Sequence, residues 1–309
     1  MRVVFLGSGS FALPSLEALL AAGHEVVAVV TQPDREKGRG RELTPPPLKP
    51  AAAARGLKVL QPRRVREPES VAALKALAPE MQVVVAYGQI LPRAVIDIAP
   101  RGTVNVHGSL LPRYRGAAPV QWAIVNGESE TGVTTMLIDE GLDTGPTLLA
   151  RATPIEKDET ADVLESRLAR IGGQLLVETL EGLRSGAIVP QPQDPARATL
   201  APLIKKEDGL VDWGLSAPAL ARRVRGFHPW PGAHTSVRGR GLRILRARAE
   251  MGPDARPGTL LAIERDGLVV SAGEGTALRL IDVQPESRHS MPAAAFAAGA
   301  RLAPGERLG

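Results

Sequence analysis

The chain of 309 residues contains no cysteine. That excludes a disulfide framework, a thiolate nucleophile and a cysteine-based zinc site. Any acyl chemistry must therefore run on oxygen or nitrogen groups. No run of about 18 apolar residues occurs, and Met1 leads into an apolar strand without a basic leader, so neither a membrane span nor a secretory signal is expected. A cytoplasmic protein is expected, and a monomer. His24, His228, His234 and His289 lack the spacing of metal ligands to one another, and no metal is assigned. Net charge is absent from residues 1–204, which carry 22 basic and 22 acidic groups; residues 205–309 carry 16 and 11, the whole of the +5 excess. The later part is thus the candidate for a polyanionic partner. Residues 35–66 form a second basic stretch, with ten basic residues against Glu36 and Glu42.

What is present centres on Asn105-Val106-His107-Gly108-Ser109-Leu110-Leu111-Pro112, followed by Asp139-Glu140-Gly141-Leu142-Asp143-Thr144-Gly145. Thr103 to His107 alternates β-branched and polar residues, so Asn105 and His107 share one face of a strand end while Val106 packs on the other. An amide that donates N–H bonds and an imidazole that moves protons suit attack on a carbonyl, where an oxyanion develops. Asp143 would orient the imidazole and favour its protonated form. A lone Asn-x-His is more often a polar pair at a sheet edge. Here Gly108 and Pro112 mark a turn at a strand terminus, where open α/β sheets place their sites, and Gly141 and Gly145-Pro146 constrain the loop of Asp143.

In chain order, Arg2–Leu6 reads as a buried strand, closed by Gly7-Ser8-Gly9-Ser10 and followed by helical spacing from Leu13 to Leu20. Gly7-x-Gly9-x-x-Ala12 matches a dinucleotide fingerprint loosely. The next strand, 25–31, ends in Thr31-Gln32-Pro33 without the acid that would bind a ribose, and Asp34 comes late. A Rossmann-like α/β domain without a nicotinamide is expected. Residues 32–47 combine glycines and prolines in a way that predicts no regular element. Gln82–Ala86 reads as a central strand that turns at Tyr87-Gly88-Gln89-Ile90-Leu91-Pro92. Strands are expected at 132–139 and 147–155. A helix capped by Asp158 or Thr160 carries one stripe of Leu164, Leu168, Ile171, Leu175, Leu176, Leu180 and Leu183. Pro190, Pro192, Pro195 and Pro202 predict a linker with few contacts. Beyond it, a helix at 217–227 and five short strands near 234–237, 241–250, 257–264, 267–272 and 277–283 predict a small OB-like β-barrel. The expected domains are 1–188, a linker at 189–203, and 204–309.

Asn105 to Pro119 followed by Gly141-Leu142-Asp143-Thr144-Gly145 resembles the formyltransferases that use 10-formyltetrahydrofolate. Within them, Gln32-Pro33-Asp34-Arg35 with Gly38-Arg39-Gly40, Lys206-x-Asp208-Gly209-x-x-Asp212-Trp213, and Arg225-x-Phe227-x-Pro229-Trp230-Pro231-Gly232-Ala233 resemble the methionyl-tRNA formyltransferases. The Gly7-Ser8-Gly9 turn departs from the Gly-Thr-Pro common in that family.

The resemblance implies transfer of a formyl group from 10-formyltetrahydrofolate, as co-substrate, to the α-amino group of initiator methionyl-tRNA. It implies catalysis by Asn105, His107 and Asp143, with no covalent enzyme intermediate. It implies a folate site at Tyr87, Gln89, Ile90, Ser109, Leu110, Leu111 and Pro112. It also implies tRNA contacts from Arg35, Lys37, Arg39 and Arg41 and, in the second domain, from Lys205 and Lys206. Asp143 is left with two roles, setting the charge of His107 or accepting the amine's proton. A nicotinamide dehydrogenase and a non-catalytic RNA-binding protein are the readings of other classes. The first lacks its ribose acid, and the second has no need of Asn105, His107 and Asp143 together.

Overall fold

A computed structural model describes residues 1–37 and 42–309, with the side chain of Lys37 outside the described part. The chain divides into two compact units. The first comprises Met1–Gly116, Glu130–Pro154 and Glu165–Ala201; the second comprises Ala117–Ser129, Ile155–Leu164 and Pro202–Gly309. Both are thus built from separated stretches, whereas the proline pattern suggests a single cut.

The first unit is a seven-stranded sheet of Arg2–Gly7 (β1), Glu25–Val30 (β2), Val59–Leu60 (β3), Met81–Val85 (β4), Thr103–His107 (β5), Glu130–Leu137 (β6) and Thr147–Pro154 (β7). Its order is β7-β6-β5-β4-β1-β2-β3. Strands β3, β2, β1, β4 and β5 are parallel, and β6 and β7 extend the β5 edge by antiparallel pairing. The order reverses between β1 and β4, so a crevice opens at the carboxyl ends of these strands. Continuous apolar runs mark the central strands because both faces are covered. On one face Val4, Leu6 and Val84 pack with Leu74, Val95 and Ile96 from the helices Pro68–Ala76 and Arg93–Ile96. The other face takes the helix Ala161–Ser185. Its Gly172 lies against Val106 and Val133, and Thr179 bonds Thr135 at 2.8 Å. Five leucines of its predicted stripe, at 164, 168, 175, 176 and 180, are fully buried, each stabilising by about 1.5–3 kcal/mol relative to exposure. Leu164 N–H donates to the Thr160 carbonyl, which makes Thr160 the cap.

Two expectations are corrected in this unit. Residues 32–47 hold a regular element after all: Arg35–Lys37 pairs antiparallel with Glu42–Thr44, in a register that sets Lys37 opposite Glu42. The stretch expected to make few contacts is tied down. Leu200–Ala201 pairs with Arg115–Gly116, Gln191 bridges Thr147, and Pro195–Arg197 forms a 3₁₀ turn capped by Asp194.

The second unit is an antiparallel, barrel-like sheet of Ala233–Val237 (β8), Arg240–Met251 (β9), Leu260–Glu264 (β10), Gly267–Ala272 (β11), Thr276–Pro285 (β12) and Met291–Pro292 (β13). The order is β8-β9-β12-β11-β10, with β13 on β12. Its two open edges meet the chain's last residues: Leu308 bridges Val237 of β8, and Arg307 bridges Thr259 just before β10. The tail thereby satisfies strand edges that would otherwise be bare. Leu220 and Val224 of the helix Ala217–Gly226 enter the core with Leu242, Ile244, Leu268, Leu278 and Leu280. A second helix, Pro119–Val125, packs on the first, with Gly226 against Val125 and the Trp122 ring edge-on to Phe227 at 5.9 Å. The five expected strands are present; the short strand Met291–Pro292 and the helix Ala293–Ala300 were not expected.

Candidate active site

Strand β5 does what its alternation predicts. Thr103, on the face of Asn105 and His107, bonds the Ile96 carbonyl and the Gln82 amide, while Val104 and Val106 are buried on the other face. Asn105 is half-buried, and its amide makes no hydrogen bond to a described residue. His107 is 6% exposed. Its Nε2 lies 2.9 Å from the carbonyl oxygen of Tyr114. A carbonyl only accepts, so Nε2 carries the proton and Nδ1 is the edge left for chemistry. Nδ1 lies 3.7 Å from Oδ2 of Asp143. At that separation the two share no hydrogen bond, and the Tyr114 carbonyl, rather than Asp143, fixes the ring's orientation.

Two loops hold these partners. In the first, Ser109 Oγ donates to the Arg113 carbonyl at 2.6 Å; the Ser109 carbonyl accepts from Thr134 Oγ1 at 2.7 Å, which itself accepts the Leu111 N–H. Tyr114 takes a left-handed φ of 59°, and its N–H donates to Thr199 Oγ1 at 2.8 Å. In the second, Asp139 Oδ1 accepts from the Gly141 N–H and from Thr144 Oγ1, an Asx turn. A side chain at Gly145 would run into the Leu137 carbonyl. Asp143 itself is left-handed at φ 51°, and its Oδ2 accepts the Gly116 N–H at 2.9 Å.

The other expected residues divide. Ser109, Leu110, Leu111 and Pro112 lie on the loop beside His107, with the Ser109 hydroxyl engaged inside the turn. At the carboxyl end of β4 the Tyr87 and Leu91 side chains of the turn point inward. The Tyr87 ring is buried, its hydroxyl has no partner among the described residues, and burial pushes its pKa up to about 12. Gln89 accepts the Val65 N–H at 2.8 Å, and Ser8 and Gln32 both donate to the Tyr87 carbonyl. The turn is therefore preformed. Among the described residues, Gly88, Gln89, Ile90 and Leu91 make no backbone–backbone hydrogen bond, and Ile90 is 91% exposed. Such a turn can meet a ligand through its main chain. Asp34 is engaged by Lys49 at 2.7 Å and Gln61 at 2.7 Å, and the Lys49 ammonium holds its carboxyl below the usual range. Arg35, Lys205 and Lys206 are exposed. Arg39 and Arg41 lie outside the described residues. Among the described residues no three His, Cys, Asp or Glu side chains gather as a metal site would.

Sequence reasoning passed over Thr134, Thr199, Arg115 and Gln193. Their partners are up to 85 positions away in the chain, and nothing in a local pattern pairs them.

A formyl transferase model matches residues 1–180, and a model for the formyl transferase C-terminal domain matches residues 203–301. The N-formyltransferase from Helicobacter canadensis, in a structure described with folinic acid and dTDP-3-aminofucose, superposes with a TM-score of 0.67 at 18% identity over 92% of this chain and 99% of that one. HypX from Aquifex aeolicus, in a structure described with tetrahydrofolic acid, gives 0.65 at 21% over 96% and 47%. Both likenesses concern the fold. The chain belongs to the formyl transferase family. A methionyl-tRNA formyltransferase of Solibacter usitatus is 55% identical over 100% of this chain and 99% of its own length, and one of Geobacter sulfurreducens is 50% identical over 100% and 97%. At such identity over full length, the chain falls within the methionyl-tRNA formyltransferases.

Proposed function

We infer that the chain transfers the formyl group of 10-formyltetrahydrofolate to the α-amino group of initiator methionyl-tRNA, serving translation initiation in the cytoplasm. Full-length identity of 55% to a methionyl-tRNA formyltransferase supports the substrates. The observation that carries the chemistry is the imidazole edge of His107 facing Asp143 beside the unpaired amide of Asn105.

In this reading the neutral amine attacks the formyl carbon. The oxyanion is held by the Asn105 amide and by His107 in its protonated form, whose charge Asp143 stabilises. The nitrogen that attacks must lose one proton, and N10 of the folate must gain one as its bond to carbon breaks. Asp143, directly or through water, can take the first and return the second, so no covalent enzyme intermediate is needed. Residues 1–188 perform the transfer. The loop around Arg35, Lys37, Arg39 and Arg41, together with Lys205, Lys206 and the basic domain 204–309, grips the tRNA backbone. The folate occupies the crevice between the Tyr87–Leu91 turn and the Ser109–Pro112 loop. Labelled formyl donor incubated with methionyl-initiator tRNA tests the reading. Label on the aminoacyl-tRNA is expected, and label on a glycinamide ribonucleotide acceptor alone would overturn it.

A further inference from the structure

We propose that Gln193 is a positioning residue for this reaction, acting through Asp143; the proposal rests on the active-site reading above. Gln193 lies in the proline-rich stretch that follows the helix Ala161–Ser185, a stretch whose composition predicts few contacts. Its side chain is instead fully engaged. Nε2 donates to the carbonyls of Asp143 at 2.8 Å and Gly145 at 2.7 Å. Oε1 accepts from Nε and Nη2 of Arg115 at 3.1 and 2.7 Å. The two ends of the amide are therefore distinguished by chemistry: carbonyls demand a donor, and a guanidinium demands an acceptor.

This arrangement bears on the reacting group. Asp143 is a non-glycine residue at φ 51°, a left-handed conformation that is held by its neighbours. One amide clamps the main chain at Asp143 and again at Gly145. The residue after Arg115, Gly116, donates its N–H to Asp143 Oδ2. Gln193 thus links the carboxylate's main chain to the Arg115-Gly116 segment that holds its oxygen. Arg115 is buried, at 9% exposed. Gln193 is half-buried and meets the catalytic carboxylate only through the backbone. Its effect falls on the position of Oδ2 relative to Nδ1 of His107.

Glutamate at this position separates positioning from support of the fold. In Gln193→Glu a carboxylate oxygen still accepts from Arg115, while the donors to the Asp143 and Gly145 carbonyls are gone. The experiment measures kcat, KM for both substrates and Tm for Gln193→Glu, Asp143→Asn and the double variant. The expected result is a kcat lowered about 10- to 100-fold in Gln193→Glu, the size of effect that sub-ångström to ångström misplacement produces. Both KM values should stay near those of the parent, while Tm falls somewhat because two carbonyls lose their donor and face a carboxylate oxygen. The double variant should be no slower than Asp143→Asn alone, since Gln193 acts through that carboxylate. An unchanged kcat in Gln193→Glu beside an impaired Asp143→Asn overturns this inference and leaves the active-site reading standing; so does a further loss in the double variant equal to that in the single. Full activity in Asp143→Asn overturns the reading and the inference together.

Discussion

His107 Nδ1 and Asp143 Oδ2 stand 3.7 Å apart, with the opposite nitrogen of the ring bonded to the Tyr114 carbonyl at 2.9 Å. The imidazole is aimed by a main-chain acceptor, so the carboxylate is free to interact with charge and with a proton in transit. A close Asp–His hydrogen bond would have tied up both groups before substrate arrived. At that distance the two groups share no hydrogen bond, and Asp143 is anchored separately on the Gly116 N–H.

Asp143→Asn keeps an oxygen for the Gly116 N–H and removes the charge. The variant should fold normally and lose about 100-fold or more in kcat, the range for general acid–base help, with little change in KM for tRNA. Steady-state kinetics with each substrate varied in turn checks this. A raised KM at unchanged kcat would move Asp143 from the chemistry to binding.

Gly145→Ala places a methyl group against the Leu137 carbonyl, and the loop must shift to admit it. Because Gly145 and Asp143 share the Gln193 amide, a shift at one is felt at the other. The expected outcome is a kcat down about 10-fold or more, the cost of a displaced catalytic group, with Tm lowered by the strain. Kinetics and thermal melts on the same preparation decide it.

Arg35, Lys205 and Lys206 are exposed cations. If they and the rest of the basic surface neutralise phosphates, KM for tRNA should climb about 10-fold or more between 50 and 200 mM salt, because bound counterions are released on association. KM for the folate should hardly move. A titration of sodium chloride into the assay reads both, and a flat tRNA response would count against the assignment.

The tail that closes the second unit's sheet is fixed by Glu306, whose carboxylate accepts from Arg238 at 2.6 Å and from the Ala303 N–H at 2.8 Å. The Arg238 contact, then the Ala303 N–H, hold its pKa below the usual glutamate range. A carboxyl with a depressed folded pKa adds stability above its unfolded pKa and loses it as pH falls through the folded value. Glu306→Gln should therefore lower Tm at neutral pH, and the two proteins should converge as the pH falls from the ordinary glutamate range through the depressed folded value, below which the carboxyl is protonated in both states. Melting curves across pH check the convergence.

Local patterns carried much of this structure. The alternation of Thr103 to His107 places Asn105 and His107 correctly, because a strand's two faces are written in its own residues. The leucine stripe of the helix Ala161–Ser185 is likewise buried as its spacing requires. What local pattern could not carry are pairings between distant residues. Gln193 meets Asp143 across 50 positions and Arg115 across 78, and Thr199 reaches Tyr114 across 85. Four prolines disguise that stretch as a linker. The helix Ala293–Ala300 was hidden for a different reason: six of its eight residues are alanine, so no apolar periodicity stands out against its neighbours.

The central claim is that His107, Asn105 and Asp143 transfer a formyl group to the amine of methionyl-tRNA. The most direct test is formyl transfer from labelled 10-formyltetrahydrofolate to methionyl-initiator tRNA by the parent protein and by His107→Ala. The account predicts labelled formylmethionyl-tRNA with the parent and a rate lower by about 100-fold or more with the variant, since the imidazole serves both the oxyanion and the proton. Equal rates in the two proteins would contradict it.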